Sequence, residues 1–148
     1  MKIYLDNCCL NRPFDDMQNE PMRFEAEAVL SIIDRCEAGD WELWFSDALM
    51  DEINRISDPE RWAKVALLCR SAVGNIKFST EIYERAAELM SVGIKPYDAL
   101  HIASAECGNC DVMLTTDRRL INAAARANVN VRVSNPVLWL MEVLYGES

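Results

Sequence analysis

Four acidic residues stand where a folded chain would gather them: Asp6, Glu52, Asp98 and Asp117. Asp6 closes the short apolar run Ile3-Tyr4-Leu5. Asp117 follows a second run, Val112-Met113-Leu114, and precedes RRLINAAARA, a stretch it can cap as a helix. Asp98 falls in the first turn of a helix opened by Lys95-Pro96. Proline is tolerated there because its missing N–H has no partner to lose, and the helix dipole favours a carboxylate. Glu52 lies in the apolar stripe Leu49, Ile53, Ile56, where a carboxylate is costly unless it is paired or binds a cation. Brought together, four carboxylates repel one another, and some take up protons. Magnesium or manganese relieves that repulsion, because hard cations take oxygen ligands and commonly keep several waters. One or two such ions can activate water and stabilise the charge that builds on a phosphodiester in the transition state. The chemistry to expect is metal-assisted phosphodiester hydrolysis. No Gly-rich phosphate loop, Walker motif or Gly-x-Ser-x-Gly elbow competes with it.

Each acid also has a plainer reading. Asp6 and Asp117 serve equally as a strand-end turn and a helix cap, and Asp98 as a helix-terminus charge. Glu52 could be a stripe-edge glutamate that reaches solvent or Arg55. The weight rests on all four standing at element ends. His101, the only histidine, lies one helical turn after Asp98 and is either catalytic or hydrogen-bonded beside the pocket. Arg12, Arg118 and Arg119 could meet phosphates, although the last two would serve as well as a solvated helix start. Trp41, Trp44, Trp62 and Trp139 read as core more readily than as base-stacking platforms.

The elements that must position these residues alternate along the chain. After the strand at Ile3–Leu5, the polar segment Asn7 to Pro21 reads as a loop. Val29, Ile32, Ile33 and Cys36 follow at helical spacing, stopped by Gly39-Asp40. Trp41 to Phe45 reads as a second strand. Ser46 or Asp47 caps the helix of Glu52, Asp58-Pro59 starts another, and Asn75 to Phe78 reads as a short strand. Thr80 caps a helix carrying Ile82, Ala86, Leu89 and Met90. Beyond the central stretch come an alternating strand, Val129 to Val133, and an apolar helix from Pro136 to Leu144. Alternation of this kind implies βαβ units and a parallel sheet covered on both faces. Parallel strands point their C-terminal ends to one edge, so Asp6 and Asp117 should meet there, where ligands collect in open α/β sheets.

The 148 residues are expected to form one domain, 1–148, with a sizeable core; 51% of them are hydrophobic and only five are glycine, which excludes a disordered chain. No run is long enough to span a bilayer and no signal-peptide pattern opens the chain, so a cytoplasmic protein is expected. The six cysteines suit reduced core thiols, and Cys107-x-x-Cys110 lacks the second pair a zinc site needs. The net charge of −9 argues against a passive nucleic-acid binder, and it fits a carboxylate cluster that bound cations would partly offset. The last helix carries Val137, Leu138, Leu140, Met141, Val143, Leu144 and Tyr145, more apolar surface than one stripe needs, so a homodimer is expected.

The segments Lys2-Ile-Tyr-Leu-Asp6-Asn7, Asp51-Glu52-Ile53, Pro96-Tyr-Asp98-Ala-Leu-His-Ile-Ala103 and Leu114-Thr-Thr-Asp117 resemble the successive motifs of PIN-domain ribonucleases. Val133-Ser134-Asn135-Pro136 resembles that family's last strand and the turn after it. The resemblance spans nearly the whole chain. It implies a three-layer α/β/α fold around a central parallel sheet, with Asp6, Glu52, Asp98 and Asp117 as the acidic quartet that binds Mg2+ or Mn2+. It places Asn7 and Thr116 beside that quartet, where Arg12 could join them at a substrate. The chain also resembles small single-domain members that act as the toxin of a type II toxin–antitoxin pair, cleaving RNA and silenced by a small antitoxin. The long segment Asn7 to Pro21 departs from the shortest such toxins. Two other readings stand beside this one. A PIN fold could bind RNA or a protein partner without cutting. A phosphoacceptor signalling domain also gathers acids at strand ends, but it needs a lysine at a later strand end, where this chain has Thr-Thr-Asp.

Overall fold

The computed structural model describes residues 1–146. Five parallel strands form one sheet in the order β3-β2-β1-β4-β5. They are β1 (Lys2–Leu5), β2 (Glu42–Ser46), β3 (Ala72–Ile76), β4 (Val112–Leu114) and β5 (Arg132–Ser134). Helices cover the sheet on both faces, giving the three-layer α/β/α arrangement. They are α1 (Asn7–Asn11), α2 (Glu20–Glu37), α3 (Asp47–Ile53), α4 (Pro59–Leu68), α5 (Thr80–Ser91), α6 (Pro96–Cys107), α7 (Arg118–Ala127) and α8 (Pro136–Tyr145). Among the described residues no helix is long and apolar enough to cross a membrane.

Strand β1 is the centre of the molecule. Ile3, Tyr4 and Leu5 are fully buried, as are Met113 and Leu114 of the adjoining β4. A strand buried on both faces reads as a continuous apolar run. The chain winds outward from β1 through β2 to β3, then returns to place β4 on the other side of β1. The switch in winding direction therefore falls between β1 and β4, where α/β sheets open a crevice at their strand C-termini. Leu5 pairs with Leu114 in register, so the residues that follow these two strands emerge side by side.

Three segments depart from the sequence expectation. Asn7 to Pro21 is not a plain loop. It holds α1, a 3-10 turn at Arg12–Phe14, and the first residues of α2. Asp6 caps α1, and Cys9 and Leu10 are fully buried. That small apolar anchor is hidden among asparagines, which lower helix propensity. The third strand runs Ala72–Ile76 rather than Asn75 to Phe78. Gly74 sits in it against the Trp44 ring, which leaves no room for a Cβ. The last strand is Arg132–Ser134, because Asn128 closes α7 in the left-handed conformation and the chain needs the next residues to turn. Among the tryptophans, Trp139 is buried and stacks edge-on against half-buried Trp41 at 5.1 Å. Trp62 is 41% exposed on α4 rather than in the core.

Candidate active site

The acids converge from four elements. Asp6 follows β1 and is 6% exposed. One of its oxygens accepts from the Asn7 amide at 2.7 Å. The other accepts from the Thr115 hydroxyl at 2.9 Å and from the Cys8 thiol at 3.3 Å. These bonds fix the direction of a nearly buried carboxylate. Asp117 follows β4 and caps α7, accepting from the Arg119 and Leu120 amides at 3.0 and 3.4 Å. Asp98 lies in the first turn of α6. Glu52 lies in the last turn of α3. All four line one cleft at the strand C-termini.

Glu52 does not reach Arg55, which pairs instead with Asp51 at 3.5 Å. It meets His101, whose Nε2 lies 2.9 Å from Glu52 Oε1. The ring is fully buried. Its Nδ1 lies 2.6 Å from the Tyr4 hydroxyl, which in turn lies 2.6 Å from Ser46 Oγ. Ser46 also accepts from the Leu49 amide at 3.0 Å, capping the helix that carries Glu52. An ionised Glu52 can only accept, so Nε2 carries a proton. In the neutral ring Nδ1 then accepts from Tyr4, and Ser46 donates to Tyr4. In the imidazolium the direction reverses along the same chain. His101 is thus the hydrogen-bonded histidine beside the pocket, tied to β1 on one side and to α3 on the other.

The electrostatics are those of converging like charges. The Asp98 carboxyl is pushed up from 3.8 to about 6 by burial and by the Asp6 carboxylate, with Asp117 and Glu52 adding to the rise and His101 opposing it. Burial lowers the affinity of His101 for a second proton, but the Glu52 hydrogen bond and the Asp6 carboxylate outweigh burial, and its pKa moves upward. Carboxylate oxygens of Asp6 and Glu52 and a ring nitrogen of His101 lie within 4.8 Å of one another. A cluster whose like charges raise the proton affinity of Asp98 is chemically suited to a hard divalent ion, and its carboxylate donors are those such an ion takes.

Two of the three remaining expected residues border this cleft, and the third, Thr116, touches one of them. Asn7 and Arg12 line it. Asn7 accepts from the Asn11 side chain at 2.9 Å. Arg12 pairs with Asp15 and Glu25, each at 3.2 Å, and donates to Thr116 Oγ1 at 3.1 Å. Thr116 therefore faces Arg12, while the hydroxyl on Asp6 belongs to Thr115, which sequence reasoning passed over. The signal was present: Thr115 continues a strand of fully buried residues, where a hydroxyl needs a partner. Cys8 and the Tyr4–Ser46 pair were also missed. A tyrosine in an apolar triplet reads as core, and nothing local reveals that its hydroxyl meets a histidine 97 residues away.

The sequence profile of the PIN domain matches residues 3–126. No curated relative matches the chain. Among solved structures the chain is similar to one in the crystal structure of VapBC2 from Rickettsia felis bound to a DNA fragment from their promoter. That match has 15% identity and a TM-score of 0.64, and covers 91% of this chain and 98% of the other. At that identity the likeness is one of fold.

Proposed function

Because the chain belongs to the PIN-domain family, whose members are generally nucleases, we propose that it is a divalent-metal-dependent endoribonuclease. The observation that carries this reading is the meeting of four carboxylates in one cleft, with the Asp98 carboxyl raised to about 6 by burial and by its neighbours. Asp6, Glu52, Asp98 and Asp117 would hold Mg2+ or Mn2+. Bound there, the ion would neutralise charge building on a phosphodiester and lower the pKa of water.

The chain's own residues have separate tasks. Asp6, which lines the cleft, is oriented by the Asn7 amide and the Thr115 hydroxyl. His101 fixes the direction of Glu52. Asp98, whose carboxyl is raised to about 6 by burial and by Asp6, would be held ionised by a bound cation. Asn7 and Thr116 face a substrate at the rim, and Arg12, held by Asp15 and Glu25, keeps that rim ordered. The attacking group on this reading is water, not the neighbouring ribose hydroxyl. A single-stranded RNA with 2′-deoxyribose at the cut position should therefore still be cleaved in Mg2+. A strict need for that 2′-hydroxyl overturns the hydrolytic reading.

The broader role we propose is the toxin of a toxin–antitoxin pair acting in the cytoplasm, with residues 1–148 as a single PIN-like domain. The fold shared with a chain of the VapBC2 structure supports a small antitoxin as partner. We propose a homodimer as well, on the exposed apolar surface of α8, where Leu138 is 63% and Met141 54% exposed.

A further inference from the structure

The chain carries 15 lysines and arginines against 24 acids. Most cations are already engaged. Arg12, Arg55, Arg61, Lys64, Arg85 and Arg132 are in ion pairs, and Lys2, Arg23 and Arg35 lie over aromatic rings. Among the described residues six cations have neither partner: Arg70, Lys77, Lys95, Arg118, Arg119 and Arg126. Four of these six lie at the start of α6 or on α7.

Three of them line one groove. Lys95, Arg119 and Arg126 border it, and Asp98 and Asp117 form the edge it shares with the acidic cleft. Its floor is apolar, with Ile94 and Leu120 buried. Arg119 and Arg126 are seven residues apart on α7, or about 10 Å along the axis. That exceeds the roughly 3.4 Å rise per nucleotide of a duplex strand, so the two would meet different phosphates. The opposite rim differs. There Arg12 is paired with both Asp15 and Glu25, and Arg61 behind it with Asp15, so two carboxylates offset the two guanidiniums. Overall charge repels a polyanion, and among the described residues only the α7 side offers free positive charge next to the acids.

We propose that this groove is a phosphate-binding track for a single strand of nucleic acid, so that the strand leaves the acidic centre over Lys95, Arg119 and Arg126 and not over α1. The inference rests on the nuclease reading for the identity of the centre, but the track makes its own prediction about binding. It reads phosphates, so RNA and DNA strands of one sequence should both use it.

The test is fluorescence anisotropy of labelled single-stranded RNA and DNA oligonucleotides in EDTA, where no cleavage interferes, across a salt series. Each phosphate contact contributes about −0.7 to the slope of log affinity against log salt for a single strand. The triple variant Lys95→Ala/Arg119→Ala/Arg126→Ala should bind at least tenfold more weakly and flatten the slope by about 2. The variant Arg70→Ala/Lys77→Ala, away from the cleft, should match wild type. Circular dichroism melts confirm that each variant folds. A triple variant that binds with wild-type affinity and slope overturns the track, even if wild type cuts RNA; the groove would then suit an acidic segment of a protein partner instead. Groove-dependent binding by a protein that cuts nothing keeps the track and removes the nuclease reading.

Discussion

His101 Nε2 lies 2.9 Å from Glu52 Oε1, and the same ring holds the Tyr4 hydroxyl at 2.6 Å through Nδ1. Tyr4 is two residues before Asp6 on β1. Asp6 and Glu52, whose carboxylate oxygens lie within 4.8 Å of one another, are therefore linked through one buried imidazole, across elements distant in sequence. A carboxylate on the last turn of a seven-residue helix would otherwise be free to swing.

Replacing that imidazole should loosen Glu52 and leave buried polar atoms unpaired. His101→Phe is expected to lower stability by about 1–3 kcal/mol. Groups that orient a ligand carboxylate typically contribute about 10–100-fold in metal affinity, so Mn2+ binding should weaken at least tenfold by calorimetry. His101→Gln, which can still donate to Glu52, should recover part of the affinity. If Mn2+ binding is unchanged in His101→Phe, the ring is structural only.

Asp98 supplies a prediction about pH. Its carboxyl is raised to about 6 in the folded protein. Between its unfolded value near 3.8 and that folded value, the native state holds the extra proton. Stability must therefore fall as pH rises through this window. A tenfold difference in proton affinity between the two states corresponds to about 1.4 kcal/mol, and partial solvent screening reduces the total to about 1–2 kcal/mol. His101, raised above 6.5, acts in the same sense at higher pH: its stabilising charge is lost as pH climbs through the folded value. Asp98→Asn should remove the lower of these two losses. In thermal melts without metal, it should equal or exceed wild type at pH 7 and converge with wild type near pH 4. Wild type should gain about 2.7 kcal/mol from magnesium at a hundredfold excess over Kd, and the variant much less. A variant destabilised by about 0.3–1 kcal/mol with a full magnesium response would make Asp98 a helix-terminus charge.

The proposed homodimer is tested on α8. Leu138 and Met141 lie on one face of the helix, three residues apart and more than half exposed. Sedimentation at micromolar concentration should give a dimer for wild type and a monomer for Leu138→Glu/Met141→Glu. A monomeric wild type removes the proposal.

Much of this fold is legible in the sequence because its signals are local. The apolar runs ending in Asp6 and before Asp117 define the two central strands, and Pro96 with Asp98 defines the start of α6. The parallel topology then brings the strand ends to one edge. What was not legible depends on contacts distant in sequence. The short α1 rests on Cys9 and Leu10 meeting the core. The β3 strand contains Gly74, a poor strand former, held there by the Trp44 ring. Thr115 and Thr116 are adjacent and chemically alike, and only the pleat decides that the first meets Asp6 and the second Arg12.

The most direct measurement is the cleavage rate of an end-labelled single-stranded RNA by purified wild type in magnesium, beside the same protein in EDTA and beside Asp6→Asn in magnesium. Asp6 is nearly buried and bonded to Thr115, so its replacement by an isosteric amide should preserve the fold while removing a charged oxygen from the cleft. Wild type should give fragments in magnesium, and the rate should be at least a hundredfold lower in EDTA and with Asp6→Asn. Equal cleavage in EDTA, or full activity in a folded Asp6→Asn, would contradict the metal-dependent nuclease reading.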